Sequence, residues 1–294
     1  MSDGALLLDK PVGPSSNAVL QRAKKLFAAK KAGHGGTLDP LASGLLVVLF
    51  GEATKFAGPL LDADKEYLAT LRLGETTATG DAEGRVLQRK EVAISEKQIH
   101  AALDAFRGAI EQLPPMHSAL KRGGVPLYKL ARKGESVERK RRAVAIHELQ
   151  LLLFENPLLE IRVRASKGTY VRTLAEDIGA ALGTGAHLAA LRRTRSGRFR
   201  LEDAVTLEAL DTLSQTGREE RLLPLGELLA ELPRAELDAP DEARLRNGQA
   251  LKISGLQEGP VALYRPDGGV IGLGRAEEGG LRPLRLTQAA EKHR

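Results

Sequence analysis

The sequence predicts an α+β protein whose main body is followed by a small all-β module. Three observations carry this reading. Strand-like alternation and helix-like three-to-four spacing both recur through the first two-thirds of the chain, with no tandem repeat. The composition, 42% hydrophobic and 28% charged over 294 residues, can bury a sizeable core and suits about two domains. From about Pro233 the texture changes to short apolar pieces between Gly- and Pro-rich turns.

The elements follow in order. Ala5–Leu8 reads as a short buried strand, ended by Asp9-Lys10-Pro11. Pro14-Ser15-Ser16 opens a helix on which Val19, Leu20, Ala23, Leu26 and Phe27 share a face. Lys24, Lys25, Lys30 and Lys31 crowd its end, where cations complement the helix dipole or reach a phosphate. Residues 33–44, GHGGTLDPLASG, form a loop with four glycines, leading into the apolar run Leu45–Phe50, a strand or a helix start. Lys65–Leu73 alternates as a strand, and Arg85–Ile94 is a weaker one. Ser95-Glu96-Lys97-Gln98 is a capping box before a helix through Ile99, Leu103 and Phe106, and Pro114-Pro115 closes that unit. Val144–Phe154 and Leu158–Ala165 read as strands interrupted at Asn156-Pro157. Tyr170–Leu182 is helical in pattern, and Leu188–Leu191 runs into Arg192, Arg193, Arg195, Arg198 and Arg200, a candidate phosphate track. Residues 206–232 are Leu-rich and helical in pattern. They separate the body from a module with β-like pieces at Ala250–Ile253, Pro260–Tyr264, Gly269–Leu273 and Leu281–Leu286.

Charge and composition narrow the chemistry. Forty-four Lys and Arg against 38 Asp and Glu favour an anionic partner such as nucleic acid. The imbalance is strongest over residues 117–142, where nine Lys and Arg face Glu135 and Glu138; the stretch is an RNA clamp or a solvated loop. With no cysteine there are no disulfides, thiol nucleophiles or thiolate zinc sites, and no two of the six histidines stand at metal-ligand spacing. A zinc-dependent base deaminase needs a cysteine pair and is excluded. No apolar run can span a bilayer and no signal peptide is evident, so a cytoplasmic protein is expected. Residues 33–44 contain neither a P-loop nor a dinucleotide fingerprint. What remains is Asp39, biased out of helical geometry by Pro40, either a turn starter or a functional carboxylate.

Gly33-His34-Gly35-Gly36-Thr37-Leu38-Asp39-Pro40-Leu41-Ala42-Ser43-Gly44 closely resembles the catalytic motif of the bacterial TruB family, the tRNA pseudouridine-55 synthases. Asp9-Lys10-Pro11 with Gly13 and Ser15 resembles that family's opening motif. Lys65-Glu66-Tyr67 with Leu73-Gly74, Thr77, Thr79, Asp81 and Gly84 resembles a second. Pro114-Pro115-Met116 with Ser118-Ala119-Leu120-Lys121, Leu127-Tyr128, Ala131-Arg132 and Gly134 resembles a third. Ser166-Lys167-Gly168-Thr169-Tyr170-Val171-Arg172-Thr173-Leu174 with Asp177, Gly179, Gly185-Ala186-His187 and Leu191-Arg192-Arg193 resembles a fourth. The likeness runs over residues 5–200; residues 234–287 more weakly resemble a PUA domain, through Gly248, Pro260–Tyr264 and Ile271-Gly272-Leu273-Gly274. Two positions depart from the family pattern: Gly35 where Thr is common, and His117 where Tyr is usual.

The resemblance implies a pseudouridine synthase fold, a central mixed, mainly antiparallel sheet flanked by helices and loops, with a PUA-like β pseudo-barrel behind it. It implies a catalytic domain over residues 1–232, a basic RNA-clamping insertion at 117–142, and an RNA-binding domain over 233–294. The implied reaction detaches a uridine base, turns it and rejoins it through carbon, with no cofactor and no metal. One carboxylate must act as base or nucleophile, and Asp39 matches it. Arg172 matches its cationic partner and Tyr67 the aromatic that stacks on the target base. His34, Tyr170, Leu191 and Lys10 match substrate-binding positions, Lys10 by bracing the site. Lys129, Arg132, Lys133, Arg141, Arg142, Arg192 and Arg193 are the candidates for the RNA backbone. The implied partner is the tRNA T-arm, bound by a monomer with the target nucleotide flipped out. A tRNA-folding chaperone with the same fold and no required catalysis is the alternative.

Overall fold

The apolar alternation of the first 200 residues closes into one ten-stranded sheet. The computed structural model describes residues 3–288 except 119, 133, 136, 254 and 279; the side chains of residues 121, 122, 126, 128, 129 and 132 also lie outside the described set. The strands are β1 (Gly4–Lys10), β2 (Ala32–His34), β3 (Ala42–Phe50), β4 (Lys65–Leu73) and β5 (Gly108–Gln112). They continue with β6 (Arg142–Glu155), β7 (Leu158–Ala165), β8 (Ala186–Ser196), β9 (Phe199–Arg200) and β10 (Val205–Thr206). Their order is β10-β1-β3-β8-β4-β7-β6-β5, with β2 added to β3 and β9 to β8. Only β1–β10 and β3–β8 pair parallel, so the sheet is mixed and mainly antiparallel.

Coverage explains the sequence pattern. β1 and β3 are apolar at nearly every position because both their faces are buried. On one face Leu6, Leu8, Leu46, Val48 and Phe50 meet Val19, Leu20, Ala23 and Phe27 of α1 (Ser16–Leu26) and the turn after it. On the other, Leu7, Leu45, Val47 and Leu49 meet Phe56, Leu60, Phe199, Leu228 and Leu229. β4 alternates, burying Ala69, Leu71 and Leu73 among α2 (Glu96–Asp104), α3 (Val171–Ala181) and the neighbouring strands. Ser15 caps α1 by accepting from the Ala18 amide, and Ser95 and Gln98 form the capping box of α2.

Close approach fixes two glycines. A Cβ at Gly44 would lie 2.3 Å from the Arg193 carbonyl oxygen, so β3 and β8 come together only because position 44 lacks one. A Cβ at Gly179 would lie 2.2 Å from the Ala186 nitrogen, so α3 rests directly on the start of β8.

Several sequence expectations are refined. The glycine loop is shorter than residues 33–44, because Ala32–His34 pairs with β3 and β3 begins at Ala42. Arg85–Ile94 contributes only the exposed strand Val86–Arg89, paired with Glu75–Thr77 outside the main sheet. The basic segment folds into a hairpin, Lys121–Arg122 with Val125–Pro126, and a short helix, Leu127–Arg132. Residues 206–232 do not stand apart as a separator. Leu223 bridges to Ala5, and Leu228 and Leu229 join a cluster that also holds Ala262 and Leu273 of the C-terminal module.

That module carries a helix as well as strands. β11 (Arg234–Glu236), β12 (Gly259–Tyr264), β13 (Val270–Glu277) and β14 (Gly280–Leu286) form a four-stranded sheet in chain order. α4 (Ala239–Arg246), capped by Asp238, escaped the periodicity reading because Leu245 is its one buried residue. The expected piece at Ala250–Ile253 makes only the bridge Leu251–Leu281.

Gly179→Ala should therefore destabilise the protein by about 2 kcal/mol or more, since backbone must move to admit the methyl. Gly58→Ala, on a short helix with open space around it, should be neutral or slightly stabilising. Urea midpoints of the two variants check this; equal midpoints would contradict the packing described.

Candidate active site

Asp39 sits on a loop, residues 35–41, that is tied down from beneath. Ser16 Oγ donates to the Leu38 carbonyl and accepts from the Leu38 amide, both at 2.8 Å. The Gly13 amide donates to the Pro40 carbonyl at 2.8 Å, and the Gly35 amide to that of Val47 at 2.9 Å. Two buried cations complete the fastening. Lys10 Nζ donates to the carbonyls of Ala42 at 2.6 Å and Pro11 at 2.8 Å. Arg193 donates from Nε to Leu45 at 2.7 Å and from Nη2 to Gly36 at 3.1 Å. Burial lowers Lys10 to about 8, although Asp39 pulls the other way.

These contacts correct the expectation for Arg193. Lys10 is 0% exposed and Arg193 2% exposed, so neither head reaches RNA. Lys10 braces the loop from beneath, in keeping with the bracing role expected of it, whereas Arg193 braces the loop rather than reaching a phosphate.

Arg172 lies on the first turn of α3 with its side chain 6% exposed. Its Nη2 stands 2.9 Å from Asp39 Oδ2 and donates to the His117 carbonyl at 2.6 Å. Its Nε stands 3.6 Å from Asp81 Oδ2, and Nη1 donates to the Thr79 carbonyl at 3.3 Å. Asp81 is itself buried and accepts from Thr79 Oγ1 and from the Glu83 amide at 3.2 Å. The guanidinium is thus held between two carboxylates and two carbonyls, while Asp39 remains 43% exposed toward a cavity.

That cavity, of about 190 Å³, is lined by Tyr67, Leu191, Tyr170 and Val171 together with Asp39 and Arg172. A second, of about 540 Å³, shares Thr37, Leu38, Asp39, His117, Ser118 and Arg172 with it and extends to His34, Asn17 and Glu83. Tyr67 and Leu191 rest on the hydrophobic cluster beneath the sheet. Burial raises the Tyr170 phenol, which stays protonated. Burial and the nearby Arg193 lower His34, whose Nδ1 accepts from the Gly36 amide at 3.4 Å. Sequence, loop and helix have brought Asp39, Arg172, Tyr67, Tyr170, Leu191 and His34 to one cleft.

The basic candidates are more scattered. Arg192 is half-exposed but paired through both nitrogens with Asp9, at 2.7 and 3.2 Å. Arg198 pairs with Glu227 at 2.7 Å and Arg200 with Glu202 at 3.6 Å, so the run after Leu191 is largely neutralised. Arg141 and Arg142 are exposed at the root of the basic segment. Lys133 and the side chains of Lys129 and Arg132 lie outside the described residues.

Sequence reasoning gave no role to Asp81, Thr79 or Ser16. The available signal was an Asp in the second motif and an arginine whose fork offers more donors than one carboxylate can take. The Gly35 departure has a physical reason: a Cβ there would lie 2.8 Å from Leu60, on the short helix Ala57–Asp62 packed against the loop. Among the described residues no cluster of His, Asp or Glu could hold a metal ion, and no helix is long and apolar enough to cross a membrane.

The mixed sheet with an arginine-held aspartate at its cleft fits the pseudouridine synthase arrangement that the sequence motifs imply. Residues 24–171 match the TruB family pseudouridylate synthase N-terminal domain, 172–232 the tRNA pseudouridylate synthase B C-terminal domain, and 233–287 the pseudouridine synthase II TruB C-terminal domain. The chain is 56% identical over 292 residues to tRNA pseudouridine synthase B of Burkholderia mallei (strain NCTC 10247), covering 97% of both. It is 53% identical to that of Dechloromonas aromatica (strain RCB), over 98% of this chain and 97% of the relative. Among solved structures it resembles a chain of a Cbf5-Nop10-Gar1 complex, with TM-score 0.73 and 30% identity over 94% of this chain and 78% of that one. It also resembles a chain of an H/ACA RNP bound to a substrate RNA containing 2'-deoxyuridine, with TM-score 0.75 and 27% identity over 99% and 86%. The chain belongs to the TruB family of pseudouridylate synthases.

Ser16→Ala leaves the Leu38 amide and carbonyl unpaired where they are buried, so it should cost about 1–3 kcal/mol. Amide exchange should accelerate at Leu38 before it does in β4. Unchanged exchange and stability would show that Ser16 does not fasten the loop.

Proposed function

We propose that this protein isomerises uridine 55 in the T-arm loop of tRNA to pseudouridine. The observation that carries the reading is Asp39 at the mouth of a base-sized cavity, its Oδ2 held at 2.9 Å by Arg172. The full-length likeness to relatives named tRNA pseudouridine synthase B supports it.

The chemistry uses the chain's own side chains. The target nucleotide is flipped from the folded loop into the small cavity, where Tyr67 stacks on it and Leu191 walls the other side. The bond from the ribose C1′ to N1 breaks and leaves its electron pair on N1, the base turns, a bond from C1′ to C5 forms, and the proton lost from C5 is balanced by one taken up at N1. Asp39 is the catalytic carboxylate, base or nucleophile, for this sequence. Arg172 occupies one of its oxygens by a charge-assisted hydrogen bond and leaves the other toward the cavity. Asp81 and the carbonyls of Thr79 and His117 hold the guanidinium in place. No cofactor or metal is required by these steps.

Residues 1–232 form the catalytic domain in this reading, and 233–294 a PUA-like RNA-binding domain. Arg141 and Arg142, exposed beside the cleft, join Lys129, Arg132 and Lys133 as the phosphate contacts of a clamp over 117–142. The protein acts as a cytoplasmic monomer. A chaperone that only binds tRNA would have no need of a carboxylate aimed into a cavity and a buried arginine built to hold it.

Asp39→Asn should bind unmodified tRNA nearly as well as the natural protein yet lose at least about 1,000-fold in tritium release from 5-tritiated uridine. Turnover by the amide variant, shown free of deamidation, would refute the role. Arg172→Lys should lose about tenfold to a hundredfold in turnover, the equivalent of the roughly 1.5–3 kcal/mol of a hydrogen bond to a charged group. A rate within twofold of the natural protein would show that one ammonium replaces the fork.

A further inference from the structure

Lys65 is a buried cation that the steps above do not use. It opens β4, is 8% exposed, and has no carboxylate partner within ion-pair distance among the described residues. Its Nζ donates instead to the carbonyls of Ala63 at 2.6 Å and of Leu60 and Leu61 at 2.9 Å. These carbonyls end the short helix Ala57–Asp62, which cannot satisfy them itself. Burial lowers Lys65 to about 8; Arg193 and Lys167 act in the same direction, and Asp62 and Asp64 oppose it. Both carboxylates are engaged elsewhere, Asp62 by Lys167 at 2.8 Å and Asp64 by His147 at 3.1 Å. An apolar side chain of similar size would avoid the cost of burying a charge, so the ammonium calls for a role.

The place of that helix supplies one. A Cβ at Gly35 would lie 2.8 Å from Leu60, so the helix meets the loop with no room to spare. The Lys65 stem reaches the same loop, since a Cβ at Gly36 would lie 4.0 Å from its Cε. Tyr67 follows on the same face of β4, so one strand carries both the aromatic of the small cavity and this ammonium. Behind the helix lies a cavity of about 420 Å³, bordered by Pro59 and Leu60 on one side and by Leu273 and Leu284 of the C-terminal module on the other. That space leaves the helix room to retreat from the loop, and the bonds of Lys65 tie it to β4. We propose that Lys65 is a positioning residue of the reaction. By tying the helix Ala57–Asp62 to the strand of Tyr67, it keeps Leu60 against Gly35 and so sets the glycine side of the chain between His34 and Asp39. The inference rests on reading the cleft as a pseudouridine synthase site.

Lys65→Met keeps the stem and removes the ammonium. At saturating unmodified tRNA it should lose about tenfold to a hundredfold in single-turnover tritium release, the scale expected of a misplaced reacting group. Its tRNA affinity, measured in the Asp39→Asn background, should stay within about twofold, because no RNA contact is lost. A lysine that only stabilises the fold would lower the melting temperature and leave turnover of the folded protein unchanged. Amide exchange should accelerate at Gly35 and Gly36 but not at Leu38, which Ser16 fastens. Leu60→Ala leaves all three carbonyl bonds in place and tests the same route if Lys65→Met does not fold. It should also lower turnover more than affinity, and in the double variant the combined loss should be smaller than the product of the two. Turnover within about twofold of the natural protein in a folded variant would overturn the proposal. So would losses that multiply, affinity that falls as far as turnover, or unchanged exchange at Gly35. If the natural protein makes no pseudouridine, the function reading fails. If it does and these variants keep its rate, only the role of Lys65 fails.

Discussion

The guanidinium of Arg172 is the point on which the site depends. It is almost wholly buried, and a buried cation persists only where charges and carbonyls replace its water. Asp81 and the Thr79 carbonyl hold it from one side, the His117 carbonyl and Asp39 from the other. These groups come from three separated stretches of chain, so holding Arg172 also brings those stretches into register. The second motif and the root of the basic segment thereby converge on the first turn of α3.

The loop that bears Asp39 shows a second use of buried cations. Among the described residues Lys10 and Arg193 have no carboxylate partner within ion-pair distance; backbone carbonyls solvate them instead. That arrangement holds the loop by its main chain and leaves its one carboxylate for the cavity. Loops are ordinarily the mobile parts of a fold, and chemistry that needs a reacting group held in place demands that mobility be removed. Here Ser16, Lys10 and Arg193 remove it from three directions.

Much of this was legible in the sequence. Lys65–Leu73, the capping box at Ser95 and the pair of strands about Asn156-Pro157 appear where periodicity placed them, because each buries one face and exposes the other. The cleft residues were legible only through the family motifs. A single Asp in a glycine-rich loop has no periodic signature, and Asp39 and Arg172 meet only through the tertiary fold. Charge was the misleading signal. Arg193 looked like part of a surface track, but a strand alternates its side chains, and this one points inward beneath the loop. Residues 206–232 misled for the opposite reason. Their leucines suggested a helical separator between the body and the C-terminal module, yet they seal the one against the other.

The central claim is that this cleft modifies one nucleotide of tRNA. Its most direct test is chemical mapping of pseudouridine along an unmodified tRNA transcript after incubation with the purified protein. The account predicts a single pseudouridine, at position 55, approaching one per tRNA. A transcript with uridine still at that position after prolonged incubation, or with pseudouridine only elsewhere, would contradict it.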